Sequence, residues 1–582
     1  MSRLPLPAAA VVLAAALALV APSTASAQTP FGHACTPNDG FRSCPTTGLE
    51  DRVPSWDGTP LDVDVTLPAE GAGPFPTLLL LHGLGGTKTS FLQPSPTNPG
   101  YDAQSFARLG YAVVTPTARG YGNSCGRPES RTAGCENGFT RLADMRYEVR
   151  DLQTLVGRLV DEGIAKPDAI GSTGVSYGGG MSTMLAFLKN RVRMPDGSFA
   201  PWTSPNGTPI SLAAAWPRWL WTNGEGIFIR TGRDTWARKP VGVPTPSYAG
   251  GIFLTADTGF VAPDDAELTA NVHKWKADLD RGTLGPEVIP TLDMAYDLHG
   301  VAGLSGSRYP LDGPAPLLMQ SGWTDALFPV GHSISAYNTI RDLNPAFPVS
   351  LQFGDLGHAP AANNTPDTVT LNAGGIAFLD ARLRGVGTPP EPGSVTAITM
   401  RCPAGQGGTV YNAPTLASLT TKTVRFGRGG RVTITQRGAS EELAKELNPL
   451  GSTASHCFAH SPDRTNRRNT FAGRVRRAVT LLGRPVITGR ARVTGRYGQV
   501  IARVWDHDPR TGEQLLITRG AFRFKANQRG RFRFILDGNG WRFARGHRIV
   551  VELVGRDEPT YDAAPEPFTA RLSRLRVAMP VR

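Results

Sequence analysis

The sequence predicts an α/β protein: a mostly parallel sheet covered by helices, interrupted by a helical insertion and followed by an all-β region. Three observations carry that prediction. Short apolar runs bounded by Pro and Gly alternate with helix-periodic stretches over the first two hundred residues, the pattern of a sheet buried on both faces. A tryptophan-rich stretch, 195–310, separates those runs from two more of the same kind near 317 and 349. Beyond the Pro/Gly-rich "GVGTPPEPGSV" at 385–395, short alternating segments lie between turn residues, as strands of a sandwich do.

The elements follow in order. The N-terminus, "MSRLPLPAAAVVLAAALALVAPSTASAQTP", has an Arg near its start, an apolar run from Ala8 to Ala21 and "ASA" before Gln28. That is the layout of a secretory signal peptide, residues 1–27, cut after Ala27, and it predicts a secreted or extracytoplasmic protein. The apolar run is short for a membrane anchor, and no other segment is long enough to cross a bilayer. Export permits disulfides, and the six cysteines fall as Cys35 and Cys44, Cys125 and Cys135, Cys402 and Cys457. Six cysteines allow fifteen connectivities; nearest-neighbour pairing is expected because each bridge then closes a local loop. No CxxC spacing supports a zinc site, and no metal or organic cofactor is expected.

"LDVDVTLP" (61–68) alternates as a strand does, and Leu78–Leu81 in "FPTLLLLHGLGG" reads as a strand buried on both faces. Tyr111–Val114 repeats the theme. Leu142, Met145, Val149, Leu152, Leu155, Val156 and Leu159 form a helical stripe. Then "DAIGSTGVSYGGGMSTMLAFL" gives a strand (about Ala169–Thr173), a glycine turn and a helix from about Gly178.

That turn carries Ser176 in a Gly-x-Ser-x-Gly frame. A second match, "GNSCG" with Ser124, makes the five letters alone weak. Context separates them. Ser176 stands between strand and helix, where a strained turn exposes a nucleophile and Gly174 and Gly178 remove colliding side chains. Ser124 precedes a polar loop with Pro128 and is expected to be structural. A serine hydroxyl needs a base, and the base an orienting carboxylate. Downstream, the strand Leu317–Gln320 leads into a loop with Asp325, and the strand Val349–Phe353 into a loop with His358. All three side chains then lie at the carboxyl ends of strands, where parallel sheets bind ligands. Asp355 is the competing acid, three residues before His358; His332 and the C-terminal histidines follow no comparable strand. The oxyanion of an acyl transfer would be held by the backbone amides of Tyr177 and of Leu84 in "HGLGG".

With these residues in view, the sequence resembles the α/β-hydrolase superfamily, and within it the X-Pro dipeptidyl-peptidase and cocaine-esterase (CocE/NonD) group of serine hydrolases. "ARGYGNSCG", "GVSYGGGMS", "SGWTDALFP" and "FGDLGHAP" carry the resemblance, and "LLGRPVITGRARVTGRYGQVIARVWDHDPRTGEQLLITRGAFRF" is similar to the group's C-terminal β-domain. It runs from about residue 55 to about 580 and is weakest between 195 and 310. It implies Ser176 as nucleophile, Asp325 as acid and His358 as base, a helical cap over the site, a jelly-roll-like C-terminal domain, and a small peptide or ester substrate. Many members place a tyrosine after the early strand as an oxyanion donor; "HGLGG" stands here instead. The expected organisation is therefore hydrolase domain 28–194 and 311–388, cap 195–310, and β-domain 389–582. Trp202, Trp216, Trp219, Trp221, Trp236 and Trp275 either line the pocket or form the cap's own core.

Charge is the remaining signal. The formal net charge is +13, and from about residue 420 roughly thirty basic residues, nearly all Arg, stand against about a dozen acids. No nucleic-acid-binding motif accompanies them. The excess either keeps a strand surface soluble or makes contact with an anionic surface, which leaves a binding protein on a hydrolase scaffold as the alternative to an enzyme.

Overall fold

The run Leu78–Leu81 is buried on both sides, and its alternation assigns the faces: Leu78 and Leu80 join one apolar cluster, Leu79 and Leu81 another. It lies in β4 (Phe75–Leu81) of an eleven-stranded sheet. The computed structural model describes residue 1 and residues 28–281, 285–304, 313–436, 441–461 and 467–582; apart from Met1, the expected signal segment lies outside them. The sheet's other strands are β1 (Thr36–Asn38), β2 (Phe41–Cys44), β3 (Val63–Pro68), β5 (Ala112–Pro116), β6 (Ala165–Val175), β7 (Leu212–Arg218), β8 (Leu317–Gly322), β9 (Val349–Gly354), β10 (Val395–Ile398) and β11 (Val410–Ala413). Their order is β1-β2-β3-β5-β4-β6-β7-β8-β9-β10-β11. From β5 through β10 every neighbouring pair is parallel, with antiparallel strands at both edges.

Helices cover both faces. Phe106 of α1 (Ala103–Arg108) packs with Leu78 and Leu80, while α2 (Glu148–Asp161) and α3 (Tyr177–Leu188) pack with Leu79 and Leu81. Each fully buried leucine contributes about 1.5–3 kcal/mol. The helix expected from the stripe beginning at Leu142 starts only at Glu148. The Glu148 carboxylate accepts from the backbone N–H groups of Arg141 (2.6 Å) and Asp144 (3.0 Å), folding the preceding residues into a turn in which Leu142 and Ala143 take positive φ.

Two expected boundaries move. The insertion expected at 195–310 contains β7, whose Ala214, Ala215 and Trp216 are fully buried between β6 and β8. Trp216 is therefore a sheet residue, and Trp202 donates its indole N–H to the carbonyl of Gln153 in α2. The cap proper lies between β7 and β8 and contains α4 (Pro246–Ala256), α5 (Val272–Asp280) and α6 (Ile289–Leu298), with Phe253, Val272, Trp275 and Leu292 in a core of its own. At the other end, β10 and β11 extend the main sheet past the Pro/Gly stretch at 385–395, and the strands of the β-sandwich follow Ala413.

That domain is an antiparallel sandwich around one core. Its larger sheet contains β12 (Lys422–Arg428), β13 (Val432–Thr435), β16 (Val479–Gly483), β17 (Val486–Thr494), β20 (Arg529–Ile535), β21 (Asn539–Phe543) and β23 (Thr569–Val581). The smaller contains β14 (Ala459–His460), β15 (Thr470–Arg474), β18 (Gln499–His507), β19 (Gln514–Arg523) and β22 (Arg548–Val554). It docks on the cap through Ile535 N–H to Gly232 O (2.8 Å) and Arg523 Nε to Gly242 O (3.1 Å), and on the main sheet's edge through Met400 N–H to Gly540 O (2.7 Å). The cysteines pair as nearest neighbours: Cys35–Cys44, Cys125–Cys135 and Cys402–Cys457.

Packing is close where β4 meets the turn after β6: a Cβ on Gly178 would stand 2.4 Å from the Leu81 carbonyl oxygen. Gly178→Ala is expected to lower stability by about 2–4 kcal/mol, since the contact is with backbone that cannot rotate away. A urea midpoint equal to wild type would show that β4 and the turn separate freely.

Candidate active site

Ser176 connects β6 to α3 at φ 58°, ψ −112°, a conformation that costs about 1–3 kcal/mol for a residue with a side chain. Two backbone bonds hold it there. Its own N–H donates to Arg218 O at the end of β7 (3.0 Å), and Gly178 N–H donates to His82 O at the end of β4 (3.0 Å). A Cβ on Gly174 would meet Gly178 at 2.6 Å, so the glycine frame is required by contact. Ser124 stands elsewhere, fully buried; it accepts from Asp62 N–H (2.8 Å) and donates to Thr117 O (2.8 Å). It is a loop fastener with no route to a reactant.

The loops after β8 and β9 bring Asp325 and His358 to Ser176. Ser176 Oγ lies 2.7 Å from His358 Nε2, and His358 Nδ1 lies 2.8 Å from Asp325 Oδ2. With its proton on Nδ1, the imidazole donates to the carboxylate and accepts from the serine hydroxyl through Nε2. Asp325, 2% exposed, also accepts from Leu327 N–H (3.0 Å), Phe328 N–H (2.8 Å) and His358 N–H (3.2 Å). A Cβ on Gly322 would stand 1.6 Å from Leu356 O, and one on Gly357 2.4 Å from Asp325 Oδ2, so both loops are drawn tight around the carboxylate. The ring of Phe328 meets His358 edge-on at 4.8 Å and that of Trp219 at 5.8 Å, fixing the imidazole plane.

The competing groups are turned elsewhere. Asp355 accepts from Thr324 Oγ1 (2.5 Å) and Ala362 N–H (3.2 Å) and faces His456 at 3.7 Å; burial raises its carboxyl above the usual range. His332 accepts from Thr222 N–H through Nδ1 (3.2 Å), and burial holds it well below the usual imidazole range.

Leu84 and Tyr177 line the same cavity as Ser176, and neither backbone N–H donates to another group among the described residues. Two free amides beside a hydroxyl suit an oxyanion. Around them the histidine of "HGLGG" is neutral: burial lowers His82 to about 4, and its Nε2 accepts from Ala118 N–H (3.0 Å). The Tyr177 phenol donates to Glu148 Oε1 (3.3 Å) and accepts from Ala143 N–H (3.0 Å), pinning the start of α3 to the turn before α2.

The cavity measures about 630 Å³ and is walled by Trp219, Trp221, Phe228, Tyr248, Trp275 and Met294, among others. No Asp, Glu, Lys or Arg lines it among the described residues. His299, also in the wall, is kept neutral by burial. The acids of the cap are engaged elsewhere: Glu225 with Arg238 (2.5 Å), Asp234 with Ser335 Oγ (3.1 Å) and Trp236 N–H (3.0 Å). Tyr248 donates to Ala359 O (2.5 Å), tying cap helix α4 to the His358 loop. Leu450 reaches the wall from the β-domain. Sequence reasoning missed Phe328, Tyr248 and Leu450 as wall residues. Only Phe328, three positions after Asp325 in "TDALFP", carried a local signal.

The strand–turn–helix serine, the sheet order and the strand-end acid and imidazole define an α/β-hydrolase. Residues 57–193 match the X-Pro dipeptidyl-peptidase (S15 family) model, and residues 345–578 match the X-Pro dipeptidyl-peptidase C-terminal non-catalytic domain. The chain belongs to the X-Pro dipeptidyl-peptidase S15 family of serine hydrolases. Among solved structures it is similar to an aminopeptidase from the marine sediment archaeon Thaumarchaeota archaeon (TM-score 0.60, 13% identity, 94% of this chain and 98% of that one). It is similar also to a CocE/NonD family hydrolase from Staphylococcus aureus (TM-score 0.57, 12% identity, 93% and 94%) and to an α-amino acid ester hydrolase (TM-score 0.54, 15% identity, 93% and 97%). At these identities the likeness is one of fold. No curated protein is significantly similar in sequence.

Glu148 generates a pH prediction. Burial, reinforced by Asp144 and opposed by Arg141, pushes its carboxyl from 4.5 up to about 7. The folded state therefore holds this proton more tightly, so its contribution is complete below about pH 4.5 and is lost as pH rises through about 7. His82 acts on the acid side: its contribution is present above about 6.5 and is lost as pH falls through about 4. Glu148→Gln is expected to flatten the alkaline limb by up to about 3 kcal/mol. Urea titrations at intervals from pH 5 to pH 8 measure it, and an unchanged limb would remove Glu148 as its source.

Proposed function

We propose that the protein is a secreted serine hydrolase that cleaves uncharged esters of bulky apolar acids through an acyl-enzyme on Ser176. The observation that carries this reading is a hydroxyl, imidazole and carboxylate in unbroken hydrogen-bonded series, opening into a chamber without formal charge. His358 takes the Ser176 proton as Oγ attacks the ester carbonyl, and Asp325 stabilises the imidazolium. The Leu84 and Tyr177 amides hold the oxyanion. His358 then gives the proton to the departing alkoxide, and water, deprotonated by the same imidazole, releases the acid. The apolar N-terminal segment and the three disulfides support export.

A second reading, dipeptidyl-peptidase activity, is favoured by the matched family's description. It requires a counter-charge for the substrate's terminal ammonium, because an unpaired buried charge is costly. Among the described residues the wall offers none.

A panel of p-nitrophenyl esters of short, medium-chain and aromatic acids beside Gly-Pro and Ala-Pro p-nitroanilides separates the readings. Cleavage of the medium-chain and aromatic esters is expected, without release of p-nitroaniline. Ser176→Ala is expected to lower kcat by about 10⁴-fold or more, and Asp325→Asn by about 10⁴-fold with little change in KM. Faster turnover of Gly-Pro p-nitroanilide than of any ester would reverse the choice, and full activity in Ser176→Ala would remove the proposed nucleophile.

A further inference from the structure

The basic excess of the β-domain is arranged on one sheet face. Strands β20, β17 and β23 lie side by side in the larger sheet, and their register sets three rows across it. These are Arg529–Arg492–Arg571, Arg531–Arg490–Ser573 and Arg533–Thr488–Arg576. All seven arginines are exposed, while the alternate residues Phe532, Phe534, Ala491, Leu572 and Leu575 are buried in the sandwich core. Arg425 of β12, opposite Ala578, continues the face beyond β23. No Asp or Glu occurs in any of these four strands. Among the described residues none of the seven guanidiniums has an acidic partner within ion-pair distance. Asp234 borders the groove beside Arg531 and Arg533, but its carboxylate accepts from Ser335 and Trp236.

Like charges directly opposite each other on a sheet are destabilising, so the fold gains nothing from these rows. Elsewhere in the domain the fully buried Arg503 is neutralised by Glu552 (3.2 Å) and Asp557. What sets this face apart is that its unpaired guanidiniums stand directly opposite one another across three adjacent strands. We propose that it is a docking surface for a linear phosphate polymer.

Charge complementarity and geometry select that partner. Guanidiniums on adjacent strands start about 4.8 Å apart, and those two residues along a strand about 6.7 Å apart. Opposed forks at that spacing close on one tetrahedral phosphate from two sides, whereas a planar carboxylate is satisfied by a single fork. The exposed positions of the three rows carry no aromatic ring on which a nucleic-acid base would stack and no aliphatic anchor for a bilayer. A groove of about 510 Å³ along β20, lined by Arg529, Arg531, Arg533, Lys525 and Arg233 together with Asp234, Gln528 and the buried Phe522 and Phe532, carries the basic surface around the edge and suits a chain longer than the face.

The test uses the full chain and fluorescently labelled inorganic polyphosphate, with binding followed by anisotropy from about 50 to 300 mM salt. Wild type is expected to bind with log K falling linearly in log salt, by about 0.7–0.9 per phosphate engaged. The triple variant Arg490→Gln, Arg492→Gln, Arg531→Gln is expected to bind at least tenfold more weakly near 150 mM salt, with a slope shallower by about 2–3. The charge-matched variant Lys166→Gln, Lys276→Gln, Arg281→Gln should bind as wild type, with both variants retaining wild-type circular dichroism melts. Failure of wild type to bind at the lowest salt, or wild-type binding by the arginine variant, overturns the proposal. So does an equal loss in the charge-matched variant, which would mean net charge alone acts. Equal or tighter binding to alginate, to single-stranded DNA or to phosphatidylglycerol vesicles overturns the choice of partner.

Discussion

Ser176 is held at a positive φ between two backbone hydrogen bonds, one to Arg218 O and one, through Gly178, to His82 O. That arrangement ties three strand ends together at one point. β6 supplies the serine, β7 the acceptor for its amide, and β4 both the acceptor for Gly178 and the Leu84 loop. The strain costs about 1–3 kcal/mol locally and is sustained because none of the three strands can shift alone within a close-packed sheet. One lock therefore sets the hydroxyl and both free amides in a single frame. Relaxing the turn would displace all three, which is why Gly174 and Gly178 leave no room for a side chain.

The second half of the site is held by packing of a different kind. Asp325 accepts two amides from its own loop and one from the His358 loop, so the two loops fold around a single carboxylate. Phe328 and Trp219 then clamp the imidazole. Among the described residues the chamber wall carries no formal charge: burial holds His82 and His299 uncharged, and Glu225 of the cap is paired with Arg238 away from it. In such a medium an imidazolium–carboxylate pair, and an oxyanion held by the two amides, would interact more strongly than in water. Tyr248 from the cap and Leu450 from the β-domain close the wall, so the chamber is finished by parts of the chain far from the sheet that carries the chemistry.

Legibility in the sequence followed the range of the forces involved. The convergence of Ser176, Asp325 and His358 was legible because each follows a short apolar run ended by turn residues, a local signal, and because their order along the chain is what a sheet of this type demands. Ser124 was separable from Ser176 for the same reason, since a polar loop follows it. The strand β7 was not legible: "SLAAAWPRW" is short and alanine-rich, and its identity as a strand comes from the parallel neighbours β6 and β8 that pair with it. The start of α2 was misjudged because a buried carboxylate, not apolar periodicity, folds residues 141–148. That β10 and β11 join the main sheet was not legible, because a Pro/Gly-rich connection precedes them and only their pairing with β9 and with each other places them there. Leu450 had no local signal at all, since only tertiary docking brings it to the chamber.

The distribution of charge gives these parts a common logic. A formal charge in the chamber wall would demand water or a partner, and either would weaken the interactions on which the hydroxyl and amides rely. The chain's cations stand instead on the β-domain, where the arginines of β17, β20 and β23 project from a sheet whose inner face is phenylalanine, leucine and valine. That core supplies the apolar burial needed to hold like charges in register against their repulsion. The Ile535 amide and the Arg523 guanidinium, each donating to a cap carbonyl, fasten the same sandwich to the cap. A polymer seated on the arginine face would thus be held at a fixed place relative to the chamber without placing any charge inside it.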